Sequence, residues 1–214
     1  MPLAVTEIFY SIQGESTHAG KPCAFVRLSG CNLRCRWCDT SYAWGHGTPM
    51  EISEIAAIVL RYQCPLVEIT GGEPLLQEET PELCARLRGE GLTVLVETNG
   101  SLNMDLLPPG VIRILDVKCP GSGQQDKNDP KNLERLREGD EVKMVLADRE
   151  DYEFAREILV LNPGLCGRNA VSFSPVFGKL APGDLARWVL DDRLRVRLAL
   201  QLHKILFPPD ARGV

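Results

Sequence analysis

Apolar runs of strand length alternate with amphipathic helical stretches along most of this chain. That alternation calls for crossover connections, and crossovers build a parallel sheet covered by helices. Val5–Tyr10 and Cys23–Leu28 read as the first two strands. Glu54–Tyr62 reads as a helix with Ser53 as its N-cap. Leu66–Thr70 is a short strand of the buried type. Thr80-Pro81 opens a helix through Leu87, with proline at the first helical position, where its missing amide costs nothing. Strands are expected at Leu92–Glu97, Ile112–Val117, Glu141–Leu146 and Ala170–Ser174. Helices are expected at Lys131–Arg137, from an Asp148–Asp151 cap through Leu159, and at Pro182–Leu190. Arg195–Leu202 alternates like a last strand.

Polar, glycine-rich segments follow the strands: Gly71-Gly72-Glu73-Pro74, Thr98-Asn99-Gly100-Ser101, Lys118-Cys119-Pro120-Gly121 and Ser174-Pro175. In barrel-type α/β proteins the C-terminal strand ends carry the site, so these four segments should meet on one rim. The polar stretch Pro120 to Asp129 reads as a functional loop rather than a linker. At 214 residues the chain is a single domain, 1–214, able to bury a sizeable core. With 24 basic and 29 acidic residues the net charge is −5, which argues against a nucleic-acid footprint. The N-terminus lacks the basic and apolar regions of a secretory signal, and no window approaches a membrane span. A cytoplasmic protein without membrane contact is expected, where structural disulfides are rare.

Three cysteines, Cys31, Cys35 and Cys38, fall in one loop with the spacing C-x3-C-x2-C, and the expected cluster loop is 29–48. Thiolates this close in sequence can converge on one centre. A structural zinc site needs a fourth ligand from afar, such as His46 or another cysteine. A cubane iron–sulfur cluster takes one cysteine per iron, so three ligands leave one iron open to bind something else. Cys23, Cys64, Cys84, Cys119 and Cys166 are scattered singly and read as small buried residues.

C-x3-C-x2-C with Trp37 before its last cysteine resembles the signature of radical S-adenosylmethionine (SAM) enzymes, and Gly71-Gly72-Glu73-Pro74 resembles the motif that holds the amino group of SAM there. Within that superfamily, Ser11-Ile12-Gln13-Gly14-Glu15, Cys38-Asp39-Thr40, Glu97-Thr98-Asn99-Gly100, Asp116-Val117-Lys118-Cys119-Pro120-Gly121-Ser122-Gly123 and Leu202-His203-Lys204 are similar to the 7-carboxy-7-deazaguanine synthase family. Ser16 stands where that family more often has glycine, and Phe207–Val214 is not matched.

The resemblance implies a partial, open (β/α) barrel with a reduced set of helices. It also implies a [4Fe–4S] cluster on Cys31, Cys35 and Cys38, SAM against Trp37, Cys38, Asp39, Gly72, Glu73, Lys118, Ser174, Pro175, Val176 and Phe177, and Mg2+ at Thr40. Ile12, Gln13, Gly14, Glu15, Arg27 and Thr70 would contact the substrate, 6-carboxy-5,6,7,8-tetrahydropterin, on its way to 7-carboxy-7-deazaguanine in queuosine biosynthesis. Arg27 suits a carboxylate, which it meets bidentately, and a threonine hydroxyl is a hard oxygen ligand for Mg2+. His203 reads as a satisfied histidine rather than a substrate contact. A homodimer and a flavodoxin-like or ferredoxin-like electron donor are further implications. The rival enzyme class is a glycyl-radical activase acting on a partner protein, and the non-enzymatic rival is a zinc-binding module.

Overall fold

The structure, a computed structural model, describes all residues 1–214. Nine strands form one sheet: β1 Leu3–Ile12, β2 Pro22–Leu28, β3 Thr48–Met50, β4 Leu66–Gly71, β5 Thr93–Thr98, β6 Ile112–Val117, β7 Glu141–Leu146, β8 Ala170–Pro175 and β9 Arg197–Leu198. Their order is β3-β1-β2-β4-β5-β6-β7-β8-β9, so β3 and β9 are free edges and the sheet is an open α/β barrel wall. From β2 to β9 every pairing is parallel. The expected parallel sheet is present, and at its start β1 runs antiparallel to both β2 and β3. The short Gln13–Lys21 connection between β1 and β2 leaves no room for a crossover helix.

The helices are α1 Ile52–Arg61, α2 Thr80–Gly89, α3 Lys131–Glu134, α4 Arg149–Leu161, α5 Leu165–Arg168, α6 Pro182–Asp191 and α7 His203–Leu206. Ser53 lies inside α1 rather than capping it; Glu51 is the cap, in a capping box with Glu54. The Glu54 carboxylate accepts from the Glu51 amide at 2.9 Å, which satisfies a donor at the helix start. Asp148 caps α4 as expected, its carboxylate accepting from the Asp151 amide at 3.0 Å. The helix expected to reach Arg137 stops at Glu134, and the Arg137 amide donates to Asp140 at 2.7 Å. The last strand shrinks from Arg195–Leu202 to Arg197–Leu198. Beyond it the chain leaves the sheet edge, and the Leu202 amide donates to the Gly14 carbonyl at 2.9 Å.

Side chains alternate between the two faces of a strand. Ala24, Val26 and Leu28 of β2, Val67 and Ile69 of β4, Leu115 and Val117 of β6, and Val171 and Phe173 of β8 join the main core under the helices. Burying each of these valine, leucine, isoleucine and phenylalanine side chains stabilises the fold by about 1.5–3 kcal/mol. Their neighbours point inward. Near the N-terminal strand ends these are apolar, with Cys23, Phe25, Leu66, Leu95 and Ile114 forming a small plug. Toward the C-terminal ends they become Arg27, Glu68, Thr70, Glu97, Asp116, Lys118 and Lys143, which line a cavity.

Candidate active site

The cavity holds about 480 Å³. Cys31, Cys35 and Cys38 lie on its wall together with Trp37, Asp39 and Thr40. All three thiols are free and half-buried. The Cys31 sulfur accepts from the Leu33 amide at 3.4 Å and the Asn99 amide nitrogen at 3.8 Å, contacts that suit a thiolate. Burial pushes the Cys31 and Cys35 thiols up; for Cys35 the nearby Lys118 works the other way. No three His, Cys, Asp or Glu side chains are drawn together tightly enough for a single metal ion. A cubane takes one sulfur per iron corner, so its ligands stand apart around it, and three soft thiols around one cavity fit such a group.

Gly72 is held against the cysteine loop. A Cβ there would sit 2.0 Å from the Gly30 carbonyl oxygen and 2.8 Å from the Cys31 Cβ. Glycine is therefore required for the two loops to touch. Glu73 is placed one layer back from the cavity. Its carboxylate is fully buried behind the wall and accepts from the Leu75 amide at 3.0 Å, the Thr98 hydroxyl at 2.8 Å and the Asn99 amide at 2.6 Å. It ties the segment after β4 to the segment after β5, while Gly71 and Gly72 face the cavity. Ser174 and Pro175 also stand behind the cavity wall. Ser174 is fully buried with an unpartnered hydroxyl, and Pro175 borders a separate apolar depression, so Val176 and Phe177 are what the cavity meets. Lys118 lines the cavity and donates to Asp116 at 2.8 Å. Burial works against its charge, but Asp116 reverses this and holds the Lys118 ammonium above its ordinary range.

Ile12, Gln13, Gly14, Glu15, Arg27 and Thr70 also line the cavity. Arg27 stands opposite Thr70 across the β2–β4 pairing. Its Nε donates to Glu7 at 2.7 Å, leaving both Nη groups without a partner in the chain. Glu7 also accepts from Tyr42 at 2.8 Å. The Gln13 amide is used internally: its oxygen accepts from the Glu15 amide at 2.8 Å and its nitrogen donates to Glu68. Gly14 packs on the His203 ring, where a Cβ would come within 2.3 Å of Nδ1. His203 is on the cavity wall, and burial holds its imidazole below the ordinary range despite Glu15 nearby.

The sequence reading missed the buried ionic floor. Lys143 reaches Glu15 at 2.6 Å and Glu97 at 2.7 Å. Burial alone would raise the Glu15 carboxyl; Lys143 more than reverses this and brings it to about 2. Burial, with the neighbouring Glu97 charge, pushes Glu68 well above the carboxylate range. A signal was present, since Glu68 and Lys143 interrupt apolar strands at inward-facing positions. Tyr42, Gln201, Lys204 and the tail Pro209–Val214 also line the cavity, and the sequence pattern offered nothing to place the tail.

A sheet open at both edges, with a three-cysteine loop on the rim at its C-terminal strand ends, defines a protein of the radical SAM type. The radical SAM superfamily signature matches residues 25–116. A 7-carboxy-7-deazaguanine synthase from Chlorobaculum tepidum is 50% identical over 216 aligned residues, spanning 100% of this chain and 98% of the relative. One from Koribacter versatilis is 47% identical, spanning 99% of this chain and 100% of the relative. The crystal structure of QueE from Escherichia coli superposes with a TM-score of 0.77 at 23% identity, covering 94% of each chain, and agrees in fold. The chain belongs to the 7-carboxy-7-deazaguanine synthase family. Membership of the radical SAM superfamily brings a [4Fe–4S] cluster and SAM as cofactors. No helix is long and apolar enough to cross a membrane.

Proposed function

We propose that this protein converts 6-carboxy-5,6,7,8-tetrahydropterin to 7-carboxy-7-deazaguanine, by a radical ring contraction with loss of ammonia, for queuosine and other deazapurines. One observation carries the reading. The cysteine loop and the Ile12–Glu15 loop, which lie at opposite ends of β2 in sequence, face one cavity with Arg27 and Thr70 between them.

Cys31, Cys35 and Cys38 hold the cluster, and Gly72, Lys118, Val176 and Phe177 border the SAM side. When bound, these cofactors supply the radical that removes a hydrogen atom from the substrate. The chain's own residues bind, orient and shield. The free Nη groups of Arg27 meet the substrate carboxylate, with Glu7 fixing the guanidinium plane. Glu15, kept ionised by Lys143, accepts from paired N–H groups at the pterin edge. Thr40, within 3.7 Å of the Cys38 sulfur, offers its hydroxyl oxygen to Mg2+ beside that carboxylate. The tail Pro209–Val214 adds to the cavity wall. The protein works in the cytoplasm as a homodimer and takes electrons from a flavodoxin-like or ferredoxin-like donor.

The test is anaerobic reconstitution with iron and sulfide, then incubation with dithionite, SAM, Mg2+ and 6-carboxytetrahydropterin. Mass analysis should find 7-carboxy-7-deazaguanine. Cleavage of SAM without that product would remove the pterin and put a protein substrate, as for a glycyl-radical activase, in its place.

A further inference from the structure

Two loops must be held at a fixed separation if a radical formed at one is to reach a substrate held at the other. Cys38 and Asp39 belong to the first loop, and Gln13 and Glu15 to the second. No direct hydrogen bond or ion pair joins Asp39 to Glu15. The connection runs through the C-terminal segment. Lys204, at the start of α7, forms an ion pair with Asp39 at 2.6 Å and donates to the Gln201 side-chain oxygen at 2.7 Å. Gln201 in turn donates to Glu15 at 3.0 Å. Glu15 is anchored below by Lys143 at 2.6 Å. The backbone supports the same bridge, with the Leu202 amide donating to the Gly14 carbonyl at 2.9 Å.

We propose that Lys204 is a positioning residue: it clamps the loop carrying the last cluster cysteine to the loop carrying Glu15, and so sets the distance between radical source and substrate. The inference rests on the functional reading given above and adds a role that touches neither reacting atom. Lys204 suits the task because its side chain is 11% exposed, so the pair with Asp39 is shielded from solvent on the lysine side. Distance matters because a displacement of about 1 Å between reacting groups lowers a rate by about a hundredfold. Removing the clamp should therefore leave cluster loading and SAM cleavage in place while the radical reaches the substrate less often.

The experiment uses Lys204→Met in the reconstituted holoprotein, with Lys127→Met, at an exposed site off the cavity, as control. Hydrogen–deuterium exchange should rise several-fold in the segments 38–42 and 13–16 of the Lys204 variant, and stay unchanged in the control. The ratio of 5'-deoxyadenosine released to deazaguanine formed should rise about tenfold or more. Lys204→Arg, which keeps charge and reach, should restore both. Unchanged exchange in the two segments overturns the clamp, whatever the turnover. Raised exchange with an unchanged ratio overturns the positioning role. Failure of the functional reading is separate: it would appear in the wild-type protein, as no deazaguanine formed, while the exchange result still decides the clamp.

Discussion

The two faces of the single sheet follow opposite rules. The outer face gives Val26, Ile69, Val96, Leu115, Met144 and Phe173 to one continuous core under the helices. The cation on that face, Arg113, is fully buried and pairs with Asp140 at 2.5 Å and Asp105 at 3.1 Å, so its charge is spent on structure. The inner face is apolar only at its base and charged toward the rim. Phe173 lies in the core, while its neighbours Ser172 and Ser174 hold buried hydroxyls with no partner. An unpartnered buried polar group costs stability, so these two inner-face hydroxyls are not there for the fold. Neighbouring residues on one strand thus serve different ends, and moving a substitution one position should change the kind of damage, not only its amount.

The largest effect tests the rim. Cys35→Ala should abolish turnover and the brown colour of the reconstituted protein, while the midpoint of thermal unfolding of the cofactor-free protein moves by no more than about 2 °C. Phe173→Ala should do the reverse. It removes a fully buried aromatic ring and should cost about 3–5 kcal/mol in urea unfolding, with turnover per folded molecule held within about twofold. Ser174→Ala, one residue on, should be neutral or mildly stabilising because its hydroxyl has nothing to lose. If Phe173→Ala and Ser174→Ala give equal losses, the division of labour between the faces is wrong.

The outer face was legible in the sequence and the inner face only in part. Strands β6 and β7 begin and end where the sequence pattern puts them, because turn residues bound each of them on both sides. The cysteine spacing, the glycine pair and the Ile12–Glu15 loop were legible as local motifs, and the fold brings them together. Glu73 shows what a local motif leaves out. A motif says that a residue matters near a site, but only packing says whether it faces the ligand or braces the wall behind it. Lys143, Gln201 and Lys204 act through partners 46 to 186 residues away in sequence, which no local pattern encodes.

A smaller effect sharpens the role of Arg27. Arg27→Lys keeps the charge and loses the planar fork, and it should raise KM for the pterin by about tenfold to a hundredfold, the worth of one hydrogen bond to a charged group. Val26→Ala beside it should leave KM unchanged and lower stability only.

The finest test is the pH dependence of the ionic floor. Burial pushes the Glu15 carboxyl up, and Lys143 at 2.6 Å brings it down to about 2, below the ordinary 4.5. A depressed carboxyl contributes stability that is complete above pH 4.5 and is lost as pH falls toward about 2. Lys143 is raised above its ordinary 10.5, with Glu15 and Glu97 outweighing burial, so its contribution is present below that pH and lost above it. Lys143→Met removes both contributions and leaves Glu15 and Glu97 buried without a counter-ion. Charging Glu15 then becomes unfavourable, and charging Glu97, which burial already disfavours, becomes more so, so the stability gap between wild type and variant should be smallest near pH 2, widen through pH 4.5 and above, and narrow again beyond pH 10.5. Urea midpoints across that range would measure it. A gap independent of pH would mean that Lys143 acts by packing alone, and the inner face would then obey the same rule as the outer one.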